Sequence, residues 1–521
     1  MRDGLHWMRR LAEHYARCRS AHPDDELLLL FDIDGTILDA RHLVAWTLHA
    51  YDRTHGTRLF EDLQATDVDT HENEVAELLA RRQLAPGLVG RVDAWYRAHR
   101  WSPEAVRTAH QPYRGVIDVI RWFQIQPRTS VGLNTGRPEA LREATLASLN
   151  GLGGDRRVRF TDDLLFMNSE GWERNVAAHK VEGLRHFEAA GYRVVAVVDN
   201  EPEILDALAA VDRSHEILFL HADTIYQSAG RPLPRSVAGS RYDLTALVAE
   251  GDLPRQVELV WHGVNDQPNL RQLLASPVRW AEVDVRRHPV GPLVLRHDPF
   301  PPYDLAGGGP GLLGSSRSNG TSGGDGAHGT DGADGLLRLS EVLDDLRRGG
   351  KAVVVDLKEP GLVDEVLALV DACGFADADL WFNGRLDVLG EEAIRSLRAA
   401  HPGAVIQCPV DFVSPTVSAR PLDALERLEV LTAWGISRFS LAWAQPRIRQ
   451  VCEHLDEWGC EVNLYAVADL AQFLEAVLLL PRSITADFNF PEWHYFGRGA
   501  GHGGHYHRYN VDPHPPVIDV A

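Results

Sequence analysis

Eight short apolar segments recur in the second half of the chain, and most are separated by stretches with a helical pattern. They are VELVWHG, WAEVDV, VVVDLK, DLWFNG, VIQCPV, RFSLAW, EVNLYAV and SITADF, between residues 257 and 488. Strands that alternate with helices in this number predict a closed (β/α)₈ TIM barrel. A further extended piece, PLVLRHD at 292–298, follows its predecessor too closely for a parallel crossover, so we expect an antiparallel hairpin arm.

The first half of the chain also alternates strands with helices. An apolar run at 27–31 leads into FDIDGT, and strand candidates follow at 130–138, 194–199 and 216–222. This alternation predicts a Rossmann-like parallel α/β sheet. The long, mostly helical stretch at about 39–125 lies between the first two strands, which indicates a helical cap over the strand ends.

A chain of 521 residues is too long for one hydrophobic core, so we expect two large domains. The rise in Gly, Pro, Arg and Ser at 223–255 places the boundary near residue 250. This division gives a first domain at 1–250, a barrel domain at 251–500 and a tail at 501–521. The Gly-rich segment 306–335 has barrel strands on both sides, so it predicts a flexible loop inside the barrel and not a domain linker.

The formal net charge of -21 disfavours binding to nucleic acid or to an anionic membrane. An anionic small-molecule substrate therefore needs local cations or a bound metal. The five cysteines include no CxxC spacing, which indicates neither a disulfide framework nor a zinc site. The N-terminal residues lack the apolar core of a signal peptide, and LLLLF is too short to insert stably in a membrane, so we expect a cytoplasmic protein.

Two aspartates, Asp32 and Asp34, follow the first predicted strand. A carboxylate such as Asp32 can attack phosphorus and form an aspartyl-phosphate. A second carboxylate two residues later can protonate the leaving alcohol and then activate water. Gly35 allows the sharp turn that brings both to one site.

The later strands of the first half carry Thr135, Arg137 and Asp199, and Lys180 lies in a helical stretch. Together with FDIDGT, this order resembles the haloacid dehalogenase superfamily of phosphatases over about residues 25–222. The resemblance implies that Thr135 binds the transferring phosphoryl group and that Lys180 neutralises charge. It also implies that Asp199 binds Mg²⁺ with the first two aspartates, and it makes Arg137 a candidate substrate contact.

The last motif of that superfamily often contains two acidic residues. Here Asn200 follows Asp199 directly, and Glu203 stands four positions after it. We expect Asp199 to be the direct metal ligand, with Glu203 or Asn200 acting through water.

Polar residues also lie at or near the ends of the predicted barrel strands: His262, Glu282, Asp284, His297, Asp356 and Lys358. Three carboxylates at such positions can hold a hard cation such as Mg²⁺ or Ca²⁺. Two histidines can act as a general base or nucleophile and as a general acid. The lysine can neutralise a phosphoryl oxygen.

This order resembles the glycerophosphodiester phosphodiesterase superfamily, a phospholipase C-like group, over about residues 257–491. Asp356 replaces the more common Glu, as in the spider-venom phospholipase D branch. The segments WHGVN, AEVDV, VVVDLK and LWFNG resemble the menorin branch of the same superfamily more closely still. Asn265 and Asn383 match asparagine positions of that branch, which implies substrate or metal-shell contacts.

These patterns predict a bifunctional phosphoester hydrolase. The first domain is expected to be a Mg²⁺-dependent phosphomonoesterase, and the barrel a metal-dependent phosphodiesterase that uses two histidines. Two alternatives for the barrel remain open at this stage: a lyase that cyclises its substrate, and a non-catalytic binding module that serves the phosphatase. The sequence specifies neither the substrates nor the oligomeric state.

Overall fold

The computed structural model describes six stretches, 6–169, 175–224, 235–248, 257–300, 335–467 and 469–486, with the backbone alone at His6 and Pro86. It also describes the backbone of 488–489, 494–498 and 506–508. The predicted loop lies outside the described residues up to position 334, as does the predicted tail except for 506–508. The chain divides into two compact units, Met1–Ala249 and Glu250–Ala521.

Six parallel strands form the sheet of the first unit: β1 (Glu26–Phe31), β2 (Thr129–Pro138), β3 (Leu165–Asn168), β4 (Tyr192–Asp199), β5 (Leu218–Ala222) and β6 (Ser236–Gly239). Their order is β3-β2-β1-β4-β5-β6, which confirms the predicted parallel α/β sheet. In β1 every residue after Glu26 is buried, as expected for a strand covered on both faces. The sequence does not predict β3 and β6, two strands of four residues each.

The helices of the first unit are α1 (His6–Ala21), α2 (Ala40–His55), α3 (Val75–Arg81), α4 (Pro86–His99), α5 (Pro103–Thr108), α6 (Val116–Gln124), α7 (Arg142–Gly153), α8 (Val176–Ala189), α9 (Pro202–Val211) and α10 (Leu244–Leu247). Helices α2 to α6 occupy the predicted cap region between β1 and β2. The cap has an apolar core of its own, which includes Leu48, Phe60, Val75, Leu79 and Tyr96. The helices of the cap are therefore held together partly by packing against one another, and not only by packing against the sheet.

The second unit contains eight parallel strands that close on themselves: β7 (Glu258–Trp261), β8 (Trp280–Arg287), β10 (Ala352–Leu357), β11 (Leu380–Gly384), β12 (Val405–Pro409), β13 (Arg438–Ala442), β14 (Glu461–Val467) and β15 (Ser483–Ala486). The circle closes because β8 pairs with both β7 and β10. The additional strand β9 (Leu293–Leu295) pairs antiparallel with β8. The predicted barrel and its hairpin arm are both confirmed.

The strand register defines the inside of the barrel. Val260 is the register partner of Trp280, and Val354 is the register partner of Trp381. These four side chains, from β7, β8, β10 and β11, belong to one buried apolar cluster. Side chains two positions further along a strand face the same way. The residues two positions beyond this cluster are polar, so the barrel interior changes from apolar to polar towards the carboxyl ends of the strands.

The helices of the second unit are α11 (Gln267–Ala275), α12 (Leu339–Arg348), α13 (Val363–Cys373), α14 (Leu386–Ala400), α15 (Ser414–Ala419), α16 (Pro421–Trp434), α17 (Ile448–Glu457) and α18 (Leu470–Val477). Three short strands, β16 (Phe488–Asn489), β17 (His494–Arg498) and β18 (Tyr506–Arg508), pair antiparallel. No helix among the described residues is both long and apolar enough to span a bilayer.

Candidate active sites

The first candidate site lies at the carboxyl edge of the six-stranded sheet. Asp32 directly follows β1, Thr135 lies on β2 and Asp199 ends β4, and β1 is the neighbour of both other strands. The carboxyl ends of adjacent parallel strands meet at one edge, where such sheets bind their ligands. Gly35 turns the chain with a φ of +78°, and a Cβ at this position would lie 2.6 Å from the Asn200 side chain. A larger residue at position 35 would therefore displace part of the site.

Lys180 links the carboxylates that follow β1 and end β4. Its Nζ donates to Asp32 Oδ1 at 2.5 Å and to Asp199 Oδ2 at 2.7 Å, and all three residues are buried. Burial raises the pKa of Asp32 to about 8 and also raises the pKa of Asp199, although Lys180 opposes both shifts. The single positive charge of Lys180 is thus shared by the buried carboxylates of Asp32 and Asp199. A second cation would relieve the remaining repulsion between these two carboxylates.

Asn200 lies against the Asp32 carboxylate. With its nitrogen facing the surrounding oxygens, the amide donates to Asp32 Oδ2 at 3.1 Å and to the backbone carbonyl of Asp34 at 2.9 Å. The Asp34 carbonyl therefore faces the same space as the Asp32 carboxylate. Asn200 contacts these groups directly, and Glu203 lines the neighbouring cavity. That either residue acts on the metal through water stays a prediction.

Arg137 is fully buried and holds Asp34. Its Nε donates to Asp34 Oδ2 and its Nη2 to Asp34 Oδ1, both at 2.6 Å. Burial opposes ionisation of Asp34, but Arg137 outweighs it and keeps the pKa of Asp34 below its ordinary value. The sequence predicts Arg137 as a substrate contact, yet the structure directs its guanidinium to a protein carboxylate.

The same ion pair bears on the predicted magnesium ligands. Among the described residues, the carboxylates of Asp32, Asp34 and Asp199 do not form a set of three with oxygens all within 4.8 Å of one another. The Asp34 carboxylate is bound to Arg137, and the Asp34 backbone carbonyl is the oxygen of this residue that lies beside Asp32.

His110 packs against the Arg137 guanidinium, and no sequence pattern points to it. Its Nδ1 lies 2.9 Å from the carbonyl of Val106, and its Nε2 accepts from Arg137 Nη2 at 3.1 Å. An imidazole that donates through one nitrogen and accepts through the other is neutral. Burial and Arg137 accordingly lower the pKa of His110 to about 4. The 3.7 Å approach of His110 to Asp34 is therefore not an ion pair at neutral pH.

The cap forms part of the wall of a cavity of about 330 Å³ over these residues. Residues 71–74, just before α3, line it together with the aspartates and Lys180 of the sheet edge. His71 Nε2 donates to Glu201 Oε1 at 2.9 Å, while its Nδ1 accepts from the backbone N–H of Asn73 at 3.1 Å. Because Glu201 follows β4, this bond ties the cap to the sheet at the rim of the cavity.

The second candidate site lies inside the barrel. One carboxylate oxygen from each of Glu282, Asp284 and Asp356 lies within 4.8 Å of the other two, and all three residues are buried. Asp356 is the register partner of Asp284, so the three side chains share the interior face. The backbone N–H of Gly263 donates to Glu282 Oε2 at 2.7 Å. Burial and the charge of Asp284 raise the pKa of Glu282 to about 8, a repulsion that a divalent cation would relieve.

Asn265 and Lys358 hold the other two carboxylates. Asn265 Nδ2 donates to Asp284 Oδ2 at 2.5 Å, and its Oδ1 accepts from the backbone N–H of Asp284 at 3.0 Å. Lys358 Nζ lies 2.6 Å from Asp284 Oδ1 and also donates to Asp356. Burial opposes ionisation of Asp284, but Lys358 outweighs it and lowers the pKa of Asp284 to about 2. Asn265 therefore orients a predicted metal ligand.

Two histidines lie near the carboxylates, each after a different strand. His262 follows β7, and His297 lies just beyond β9. The charges of both help to lower the pKa of Asp284, so both lie near it. His297 Nδ1 is 2.8 Å from Asp298 Oδ1, a contact that holds the ring in one orientation. The structure thus brings together the residues that the sequence predicts for the barrel site.

Asn383 extends the polar interior around the barrel. It is the register partner of Asp356 on β11, and its Oδ1 accepts from Gln407 Nε2 at 3.0 Å. Gln407 lies on β12 and is only 3% exposed. The sequence does not single out Gln407, because VIQCPV fits an ordinary buried strand and only the register reveals that residue 407 faces the site.

Solved structures of glycerophosphodiester phosphodiesterases and of phosphatase-type hydrolases are similar to parts of this chain. A glycerophosphodiester phosphodiesterase from Agrobacterium tumefaciens is 19% identical, and the match covers 44% of this chain and 95% of that chain with a TM-score of 0.30. One from Parabacteroides distasonis is 11% identical, over 44% and 92%, with a TM-score of 0.32. A haloacid dehalogenase-superfamily hydrolase of subfamily IA from Geobacter sulfurreducens is 13% identical, over 43% and 96%, with a TM-score of 0.28. No family model matches the chain, and no curated protein does.

Proposed function

We propose that the chain is a bifunctional phosphoester hydrolase, with a phosphomonoesterase in the first unit and a metal-dependent phosphodiesterase in the barrel. One observation carries the proposal: each unit gathers, at the carboxyl ends of its own parallel strands, a buried set of carboxylates around a lysine. Buried carboxylates are costly unless they are paired or bind a cation. Phosphoester chemistry uses such groups for attack, proton transfer and neutralisation of charge.

In the first unit, Asp32 attacks phosphorus and the bond to the leaving alcohol breaks, which gives an aspartyl-phosphate and the free alcohol. Lys180 and Thr135 balance and position the phosphoryl oxygens. Asp34 is ionised in the resting site, a state suited to accepting a proton from the water that hydrolyses the intermediate. To protonate the leaving oxygen, Asp34 must first gain a proton, which the arrival of an anionic phosphate favours.

The donor set of the first site fits Mg²⁺. The Asp32 and Asp199 carboxylates and the Asp34 backbone carbonyl would hold the ion, all of them hard oxygen donors. When bound, Mg²⁺ supplies positive charge that offsets the phosphate charge. The raised pKa values of Asp32 and Asp199 are consistent with a site that binds a cation in its working state.

In the barrel, Glu282, Asp284 and Asp356 would hold Mg²⁺ or Ca²⁺, which supplies positive charge to a phosphodiester oxygen. His262 and His297 follow different strands and can serve the attacking and the leaving oxygen separately. Lys358 adds positive charge beside the carboxylates. Asn265 keeps Asp284 oriented for the metal.

The test is hydrolysis of a panel of phosphomonoesters and phosphodiesters by the full chain reconstituted with Mg²⁺ or Ca²⁺. We expect release of inorganic phosphate from a monoester and cleavage of at least one diester. The panel should include diesters with a neighbouring hydroxyl, because a cyclic phosphate product would identify the barrel as a cyclising lyase. Failure of every diester with either metal would leave the barrel as a binding module.

A further inference from the structure

The contact between Asn383 and Gln407 determines which end of the Asn383 amide is available to a ligand. Gln407 Nε2 donates to Asn383 Oδ1 at 3.0 Å. Within the described part of the chain, the structure shows no other hydrogen bond of either side chain. The amide nitrogen of Asn383 therefore keeps its two N–H donors, and Asn383 is half-buried on the strand beside Asp356.

Gln407 has an unusual environment for a buried amide. Its Oε1 is buried and has no hydrogen-bond donor among the described residues. Leaving a buried acceptor without a partner destabilises a fold, and such groups are often explained by function. A hydrophobic residue of similar size would avoid this cost, which points to a use for the amide nitrogen.

We propose that Gln407 is a positioning residue that holds Asn383 so that its amide nitrogen donates a hydrogen bond to the phosphodiester. A metal ion would bind Asn383 through Oδ1, which already accepts a hydrogen bond from Gln407 through one of its two lone pairs. A phosphoryl oxygen requires an N–H donor, which the free Nδ2 offers. The inference rests on the proposed phosphodiesterase function of the barrel.

The alternative amide orientation is disfavoured by the neighbouring charges. Reversing Asn383 alone would oppose its nitrogen to the nitrogen of Gln407. Reversing both amides would restore the bond but turn Asn383 Oδ1 towards the strand that carries the Asp356 carboxylate. Two acceptors facing each other repel, so the observed orientation is the stable one beside an acidic cluster.

Two substitutions test separate parts of the proposal with bis(4-nitrophenyl) phosphate and Mg²⁺ on the full chain. Asn383→Asp keeps an oxygen for Gln407, removes the free donor and places a negative charge where the phosphodiester would bind, so we expect kcat to fall about a hundredfold or more. Gln407→Met leaves the donor but releases its orientation, so we expect a loss of about tenfold. In an Asn383→Ala background, Gln407→Met should change kcat less than about twofold, because its effect passes through Asn383.

Mg²⁺ affinity separates this role from metal ligation. We expect calorimetric Mg²⁺ binding at the barrel, identified as the signal lost in Glu282→Gln, to be unchanged in Gln407→Met. Cys408→Ala is the matched control, because Cys408 is buried on the same strand and faces the opposite side. Its kcat should match the parent, and its thermal midpoint reports the cost of disturbing β12.

Three results would overturn the proposal while the phosphodiesterase itself stands: an unchanged kcat in Asn383→Asp, a full tenfold loss from Gln407→Met in the Asn383→Ala background, or a fall in Mg²⁺ affinity that parallels the loss of activity. Should Gln407→Met not fold, Asn383→Asp still decides the case without touching the buried residue. A parent chain that cleaves no diester would contradict the proposed function, and this inference with it.

Discussion

Arg137 and Asp34 form a buried ion pair through two hydrogen bonds of 2.6 Å each. Asp34 lines the cavity of the candidate phosphatase site, and the Arg137 guanidinium is directed at this carboxylate. Removing one partner of such a pair leaves an uncompensated buried charge. We expect Arg137→Met to lower the free energy of unfolding of the first unit by about 3–5 kcal/mol, measured by chemical denaturation.

The double variant Asp34→Asn, Arg137→Met provides the control for this pair. It removes both charges, so we expect it to recover much of the stability lost in Arg137→Met, while phosphomonoesterase activity stays low because Asp34 is missing. Equal stability of the single and double variants would show that the lost packing of Arg137, and not the stranded Asp34 charge, causes the effect.

The bond between His71 and Glu201 is expected to hold the cap closed over the substrate. We expect His71→Leu to raise the KM for 4-nitrophenyl phosphate about tenfold, because a hydrogen bond to a charged group contributes about 1.5–3 kcal/mol. His99→Leu, on the exposed surface of the same cap, is the control and should behave as the parent. An unchanged KM in His71→Leu would mean that this bond does not govern cap closure.

Glu282 is expected to be a ligand of the barrel metal. Glu282→Gln keeps the shape of the side chain and removes its charge, so we expect the barrel to bind Mg²⁺ or Ca²⁺ at least about 10- to 100-fold more weakly by calorimetry. Glu359→Gln is the matched control, because Glu359 lies just beyond β10 but is bound by Arg286 and the backbone of Arg287. If both variants bind the metal as tightly as the parent does, Glu282 is not a ligand of the barrel metal.

Much of the architecture could be predicted because the signals are periodic. Eight apolar segments at regular intervals predict a barrel, and polar residues at strand ends predict where chemistry takes place. Asp32 directly follows β1 and Asp199 ends β4 in the first unit, and Glu282 and Asp284 lie on β8 inside the barrel. Residues two positions apart on a strand lie on the same face. The shared face of Glu282 and Asp284 on β8 could therefore be predicted from the sequence alone.

The remaining features depend on contacts between segments far apart in the chain. Arg137 and Asp34 are 103 positions apart, and their spacing gives no indication that they pair. His110 and His71 belong to the cap, whose placement over the sheet follows from tertiary packing. Gln407 stands out only through the register of β11 and β12. Site residues that act on one another, and not directly on a ligand, are therefore the ones that sequence patterns miss.

The most direct test of two independent phosphoester sites is a crossed assay of Asp32→Asn and His297→Ala on 4-nitrophenyl phosphate and bis(4-nitrophenyl) phosphate with Mg²⁺. We predict that Asp32→Asn lowers monoester hydrolysis more than about a thousandfold, because an amide cannot act as the nucleophile, and leaves the first cleavage of the diester intact. His297→Ala should lower diester cleavage about a hundredfold or more and leave monoester hydrolysis intact. If either variant loses both activities or neither, the account of two separate active sites is wrong.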